Sequence, residues 1–289
     1  MSSLYCESEK MSALENKHRI LILGASGFIG NAIYRELCAF FKTYGTYRIE
    51  TKEYQENNHF FRYNVEEDDI FEVLNATKPS IIISCLRGDF HAQTIAHQHI
   101  TEYLLQHDCK IIFLSSANVF DAYSKYPSYE LDKTFSGSIY GHFKIKIENM
   151  FLRLPKKKSA IVRLPMVLGA QSPRLKEIKQ HLEEKTAIEV FPNIIMNVTT
   201  ESKVTQQIHY IINRNKHGIF HLGSTDLVHH DEYFKDIISQ ITPKNGVHYK
   251  SVYTTNEDRY LAVLPKYNKL PKHLQITSDQ VLADLKPLP

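Results

Sequence analysis

The first apolar run, residues 18–23, is short, unbroken and stops at Gly24, the pattern of a parallel strand buried on both faces. Residues 28–41 then carry apolar side chains at helical spacing. Strand-like runs follow at 43–48, 60–63, 80–85, 110–114 and 159–163, with helix-length segments between most of them. One such segment, residues 66–77, is stopped by Pro79, which disfavours helical backbone in the residue before it. This alternation predicts βαβ units on a parallel sheet. Beyond Gly169 the rhythm changes, with helices predicted near 174–185, 202–213 and 230–241 and a strand-like run at 218–222. The chain therefore divides, in expectation, into a flexible tail over 1–17, a main α/β domain over 18–169, and a smaller α/β lobe over 170–289 whose elements can interleave with the main domain.

Composition narrows the function classes. With 289 residues, 43% hydrophobic and 23% charged, the chain can bury a sizeable core without a metal or disulfide staple. No apolar run approaches the roughly 18 residues that span a bilayer, so no membrane role is expected. A net charge of +3 is too small and too dispersed for nucleic-acid binding. The one dense basic run, Lys156-Lys157-Lys158, reads as a solvated turn after Pro155. Of the four cysteines, Cys6, Cys38, Cys85 and Cys109, three lie in apolar stretches and read as small buried hydrophobes, which fits a reducing cytoplasmic setting. Fifteen histidines form no ligand motif, so no metal is expected; the pairs His97/His99 and His229/His230 read as solvated helix and cap residues. The first seventeen residues lack the order of a signal peptide, and Met11 is a candidate start.

Chemistry enters at Gly24-Ala25-Ser26-Gly27-Phe28-Ile29-Gly30, between the first strand and the first helix. Glycines there let the backbone turn tightly and approach a pyrophosphate, while the helix N-terminus offers unpaired N–H groups and the positive end of its dipole. In that context the three glycines indicate a dinucleotide loop and a Rossmann-type, doubly wound parallel sheet. Near the end of the second strand Arg48 stands where an acidic residue would hold the ribose in an NAD enzyme, and its guanidinium suits a 2′-phosphate. NADP is therefore expected, with Glu50 leaving NAD as the alternative. Downstream, Ser115-Ser116 ends a strand, and Tyr140-Gly-His-Phe-Lys144 opens a helix. Spacing of four residues puts Tyr140 and Lys144 on one face, where the cation would draw the phenol down from its free pKa of about 10 toward general acid–base work.

Taken together, these residues resemble the extended short-chain dehydrogenase/reductases, in particular the dTDP-4-dehydrorhamnose reductase branch of sugar-nucleotide reductases. Further likenesses are Asn64-Val65, the strand Lys78-Pro-Ser-Ile-Ile-Ile-Ser-Cys85, Ile161-Val-Arg-Leu-Pro-Met-Val-Leu-Gly169 and Gly218-Ile-Phe-His-Leu-Gly223. The resemblance implies a reductase of a keto group on a sugar nucleotide. Ser116 would hydrogen-bond the reacting oxygen, Tyr140 would transfer the proton, and Lys144 would hold the nicotinamide ribose. Gly24, Ser26, Gly27, Phe28, Ile29 and Gly30 would line the pyrophosphate, with Arg48 at the adenosine ribose. Asn64, Val65, Cys85, Leu86 and Arg87 would flank the adenine and ribose, and Pro165 and Val167 would pass beside the nicotinamide. A homodimer is compatible with this reading. Departures lie at Cys85-Leu86-Arg87-Gly88, at His97 in place of an asparagine, at Phe143 before the lysine and at Met166. They keep two alternatives open: a sugar-nucleotide epimerase on the same fold, and a non-catalytic NADP-binding regulatory subunit.

Overall fold

The computed structural model describes residues 18–285 apart from 124, 243–245 and 254–255. The expected tail over residues 1–17, with Cys6 and Met11, lies outside the described residues. In chain order the elements begin β1 (Arg19–Leu23), α1 (Phe28–Leu37), β2 (Lys42–Tyr47), α2 (Lys52–Gln55), β3 (Phe60–Arg62), α3 (Ile70–Thr77), β4 (Ile81–Ser84), α4 (Phe90–Gln106), β5 (Lys110–Ser116), α5 (Ile139–Leu152) and β6 (Ser159–Leu164). They continue with β7 (Met166–Leu168), α6 (Pro173–Glu184), β8 (Ile188–Val190), β9 (Ile194–Met196), β10 (Val198–Thr200), α7 (Glu201–Asn213), β11 (Gly218–His221), β12 (Val228–His229), α8 (His230–Ile241), β13 (Tyr249–Ser251), β14 (Arg259–Leu261) and α9 (Ser278–Asp284).

A seven-stranded sheet in the order β11-β6-β5-β4-β1-β2-β3 forms the expected Rossmann-type architecture. The pairs β1–β2, β1–β4, β2–β3 and β4–β5 all run parallel. The central strands are uniformly apolar for a physical reason: with helices on both faces, neither side of Ile20, Leu21, Ile22 and Leu23 meets water. Smaller sheets follow: β10 with β7, β12-β9-β14, and β13 with β8. Their core joins Leu168, Ile178, Val190, Val198, Phe234 and Val281.

By compactness the chain forms two units, each built from several segments. Among the described residues, one takes 18–114, 146–161 and 208–218; the other takes 115–145, 162–207 and those from 219 onward. Among the described residues no helix is long and apolar enough to cross a membrane.

Several local expectations are corrected. The first helix ends at Leu37, not near 41: the amides of Phe40 and Phe41 both bond the Leu37 carbonyl, and buried Phe41 plugs a turn instead of extending the helical face. The helix expected over 66–77 starts at Ile70, because Asp69 accepts from the Phe71 amide as its cap while Asn64 gathers residues 66–68 into a turn. Its end is Lys78, held at φ 44° just before Pro79. His97 is not solvated but fully buried, its Nε2 2.8 Å from Ser84 Oγ and its Nδ1 2.5 Å from the Gln93 carbonyl. His230 is also buried, against Phe191 and Phe234. Of the apolar-stretch cysteines only Cys109 is buried; Cys38, at the end of α1, is exposed.

Candidate active site

At Gly24 and Gly30 the turn is shaped by contacts that leave no room for a side chain. Gly24 has φ +79°, and a Cβ there would lie 2.7 Å from the Cys85 carbonyl oxygen. At Gly30, inside the first turn of α1, a Cβ would overlap the Gly24 carbonyl. Thr46, on β2, ties the turn down: its Oγ1 accepts from the Gly24 amide at 2.8 Å and its carbonyl from the Ser26 amide at 3.3 Å. Gly27 occupies the N-cap of α1 and supplies no side-chain acceptor, so the leading amides of the helix face outward without a cap. Ser26 and Gly27 are exposed, and Phe28 and Ile29 half-buried. Backbone donors around an uncapped helix start fit a pyrophosphate.

The residues expected around the adenosine lie in one unit, at and beyond the ends of neighbouring strands. Cys85 continues β4, its amide bonding the Leu23 carbonyl at 2.9 Å. Leu86 is half-buried and Arg87 exposed. A Cβ on Gly88 would meet Val65 Cγ1 at 3.0 Å, so the segment after β4 runs against the segment after β3. Asn64 shapes that second segment, donating its amide to Asp68 at 2.6 Å and accepting from the Glu66 amide at 3.2 Å. Arg48 is 56% exposed and pairs loosely with Glu66 at 4.0 Å. Glu50 is instead engaged by Gln55 at 3.0 Å and Arg62 at 3.8 Å.

The second unit holds Ser116, Tyr140, Lys144, Pro165 and Val167. Ser116 ends β5 and caps a 3₁₀ turn over Ala117–Phe120, its Oγ donating to Asn118 Oδ1 at 2.9 Å and accepting from the Asn118 amide at 3.2 Å. Tyr140 lies in the first turn of α5 with 38% of its surface exposed, while Lys144, one turn on, is only 7% exposed. Its Nζ is 5.7 Å from the Tyr140 ring centroid and 5.6 Å from that of Phe143. The cation thus lies beside two aromatic rings, one of them the ring that bears the Tyr140 phenol. Buried Pro165 joins β6 to β7, and half-buried Val167 pairs with Thr199 of β10. Among the described residues no three His, Cys, Asp or Glu side chains gather into a metal site.

Residues 18–275 match the family described as RmlD substrate binding domain. The chain belongs to that family. A dTDP-4-dehydrorhamnose reductase of Aggregatibacter actinomycetemcomitans is 24% identical over 163 residues, 52% of this chain; the match spans about half, 52%, of that reductase's own length. The fold is shared with the dTDP-4-dehydrorhamnose reductase of Bacillus anthracis, solved in complex with NADP (TM-score 0.72, 21% identity, 92% of this chain and 97% of that one). It is equally shared with the dTDP-glucose 4,6-dehydratase of the same organism, solved with NAD (TM-score 0.75, 15% identity, 93% and 94%). As an RmlD-family chain it has a polar network beyond the expected set. Buried Arg163 donates to the Glu130 carbonyl at 3.1 Å and stacks 4.8 Å over Phe120. The Glu130 carboxylate accepts from the amides of Lys266, Tyr267 and Asn268. Glu130 carries no sequence signal because its carboxylate partners are backbone amides, and Asp121 binds the Gly137 amide and the Ser138 hydroxyl at a separation that no local motif marks.

Proposed function

We propose that this chain is an NADPH-dependent reductase of a keto group on a sugar nucleotide, working in the cytoplasm. The observation that carries the reading is the buried Lys144 ammonium one helical turn from the accessible Tyr140, in the unit that also holds Ser116. Family membership and the NADP complex of the Bacillus anthracis reductase support it. The glycine turn supports dinucleotide binding independently, since Gly27 leaves the first amides of α1 without a side-chain cap. Arg48, half-exposed and weakly paired, is available to a 2′-phosphate, whereas Glu50 is occupied by Gln55 and Arg62; this favours NADP over NAD.

Bound nicotinamide would supply the hydride to the keto carbon. Ser116 Oγ hydrogen-bonds the keto oxygen, exchanging its Asn118 partner for the substrate. Tyr140 donates the proton that this oxygen takes up, and Lys144 stabilises the phenolate left behind. Tyr140→Phe keeps the ring and helix but removes the proton. With dTDP-4-dehydrorhamnose as substrate, its turnover should fall by about 10²-fold or more while NADPH binds as in the wild type. Wild-type protein that binds NADPH yet leaves it unoxidised with every keto sugar nucleotide tried would overturn the reductase and favour a regulatory subunit.

A further inference from the structure

Two segments of the second unit carry the proposed chemistry, one ending β5 at Ser116 and one in the first turn of α5 at Tyr140, and the Asp121 carboxylate bridges the turns beside them. Asp121 follows the 3₁₀ turn that Ser116 caps, and is 7% exposed. Its Oδ1 accepts from the Gly137 amide at 2.6 Å and its Oδ2 from the Ser138 hydroxyl at 2.5 Å. With its proton committed to Asp121, Ser138 Oγ presents lone pairs to the Gly141 amide at 3.0 Å, capping the first turn of α5. The Ser138 carbonyl accepts the helix's leading bond from the His142 amide at 3.0 Å. Arg259 donates to the Asp121 carbonyl, so the clamp is anchored from its own backbone as well.

Close approach reinforces the same link. A Cβ on Gly141 would overlap the Asn118 carbonyl and Ser136 Oγ, so the helix start sits directly on the turn whose Asn118 side chain holds Ser116. The Phe135 amide adds a bond to the Val119 carbonyl at 2.8 Å, and the Ala122 amide one to the Phe135 carbonyl at 3.3 Å. Between Ser116 and Tyr140 there is thus a chain of short contacts, with the Asp121 carboxylate at its centre.

Resting on the reductase reading above, we infer that Asp121 is a positioning residue for that reaction: through Ser138 it fixes the first turn of α5 against the Ser116 turn and so sets where the Tyr140 hydroxyl stands relative to Ser116. It touches no reacting atom itself. The hydrogen bonds from Ser138 and Gly137 and the nearby Arg259 outweigh burial and hold its carboxyl below the ordinary aspartate range, so the clamp is in its charged form at neutral pH.

The test compares Asp121→Asn, Ser138→Ala and Ser138→Thr in the full chain. An amide side chain cannot accept from both donors as a carboxylate does, and alanine removes the cap, whereas threonine keeps the hydroxyl. Because misplacement near 1 Å costs about 10²-fold in rate, Asp121→Asn and Ser138→Ala should lower kcat for dTDP-4-dehydrorhamnose by roughly 10- to 100-fold. NADPH affinity and substrate KM should stay within about twofold of wild type, and Ser138→Thr should recover most of kcat. In parallel, hydrogen exchange at the Gly141 amide should quicken in the first two variants and not in the third. Unchanged kcat in folded Asp121→Asn, or kcat and NADPH affinity falling together, overturns the positioning role. Should the wild type show no turnover at all, the reductase reading fails separately, and Gly141 exchange decides the clamp: no change in Asp121→Asn removes it.

Discussion

Gly27 and Gly30 share one turn and one residue type, yet the space around them differs. At Gly27 an added Cβ meets nothing nearer than the Gly24 carbonyl oxygen at 3.3 Å, and the backbone is extended, at φ −81° and ψ 167°. That contact is tight, and a valine fits there only with a shift of a few tenths of an ångström; the side chain would then crowd the uncapped amides of α1 where the pyrophosphate is proposed to lie. At Gly30 the same addition overlaps the Gly24 carbonyl and comes within 2.9 Å of its carbon, both backbone atoms that cannot step aside. Gly27→Val should therefore still fold, with the smaller stability loss of the two, and lose NADPH binding, while Gly30→Ala should lose stability by about 1–3 kcal/mol if the turn can shift and more if it cannot. Isothermal titration and urea unfolding separate the two effects. A Gly27→Val protein that is folded and binds NADPH undiminished removes the turn from the cofactor site; a Gly30→Ala protein as stable as wild type removes the packing argument.

Helix α4 carries an unusual element in its buried face, the His97–Ser84 hydrogen bond, flanked edge-on by Phe113 and Phe151 at 5.4 and 5.7 Å. With His97 Nδ1–H donating to Gln93, its Nε2 accepts from the Ser84 hydroxyl. His97→Leu should leave that hydroxyl, 1% exposed, without its histidine acceptor and destabilise the protein by about 1–3 kcal/mol. Adding Ser84→Ala to the same variant should restore part of the loss, and a double-mutant cycle in urea reads the coupling directly; strictly additive effects would deny the bond any role. The same residue shows where sequence reading reaches its end. The sheet strands were legible because burial on both faces writes an unbroken apolar run, and the glycine turn because strand, turn and helix follow one another. A histidine in a helix of mixed polarity reads as solvated, and only the tertiary partner on β4 shows it as core. Residues 66–68 extended the apparent helix for a similar reason: Asn64 folds them into a turn, its side chain accepting from Glu66 and its carbonyl from Glu67 and Asp68, bonds that periodicity does not register. Strands β7 to β10 and β12 to β14 have two or three residues each, too few for alternation to show.

Across the molecule, acid sensitivity follows from two histidines in the second unit. Burial, then Arg163, pushes His221 down to about 4 against the opposing pull of Glu130; burial, then Arg174, takes His230 to about 4 against Asp231. Geometry agrees with neutral rings. Arg163 Nη1, always a donor, faces His221 Nε2 at 3.3 Å, so the ring proton sits on Nδ1 and is donated to the Leu264 carbonyl at 3.1 Å. His230 Nδ1 accepts from the Phe191 amide at 3.3 Å. Neither acceptor nitrogen can take a proton without losing its bond. Unfolded, both rings return to 6.5. Between pH 6.5 and about 4 the unfolded chain therefore binds more protons than the folded one, and stability must fall as pH falls through that window. Each proton taken up on unfolding contributes a slope of up to about 1.4 kcal/mol per pH unit. Asp121 and Glu130 are held below their ordinary values, so their contribution is lost only at the acid end and does not mimic the effect near pH 6. Urea midpoints measured from about pH 7 down to 4.5 should decline steadily. Replacing His221 by glutamine, whose amide can accept from Arg163 and donate to Leu264, should flatten roughly half of that decline whatever it does to stability at neutral pH. A wild-type midpoint that stays level across the window would show that these rings are protonated, or free to leave their sites, in the folded protein.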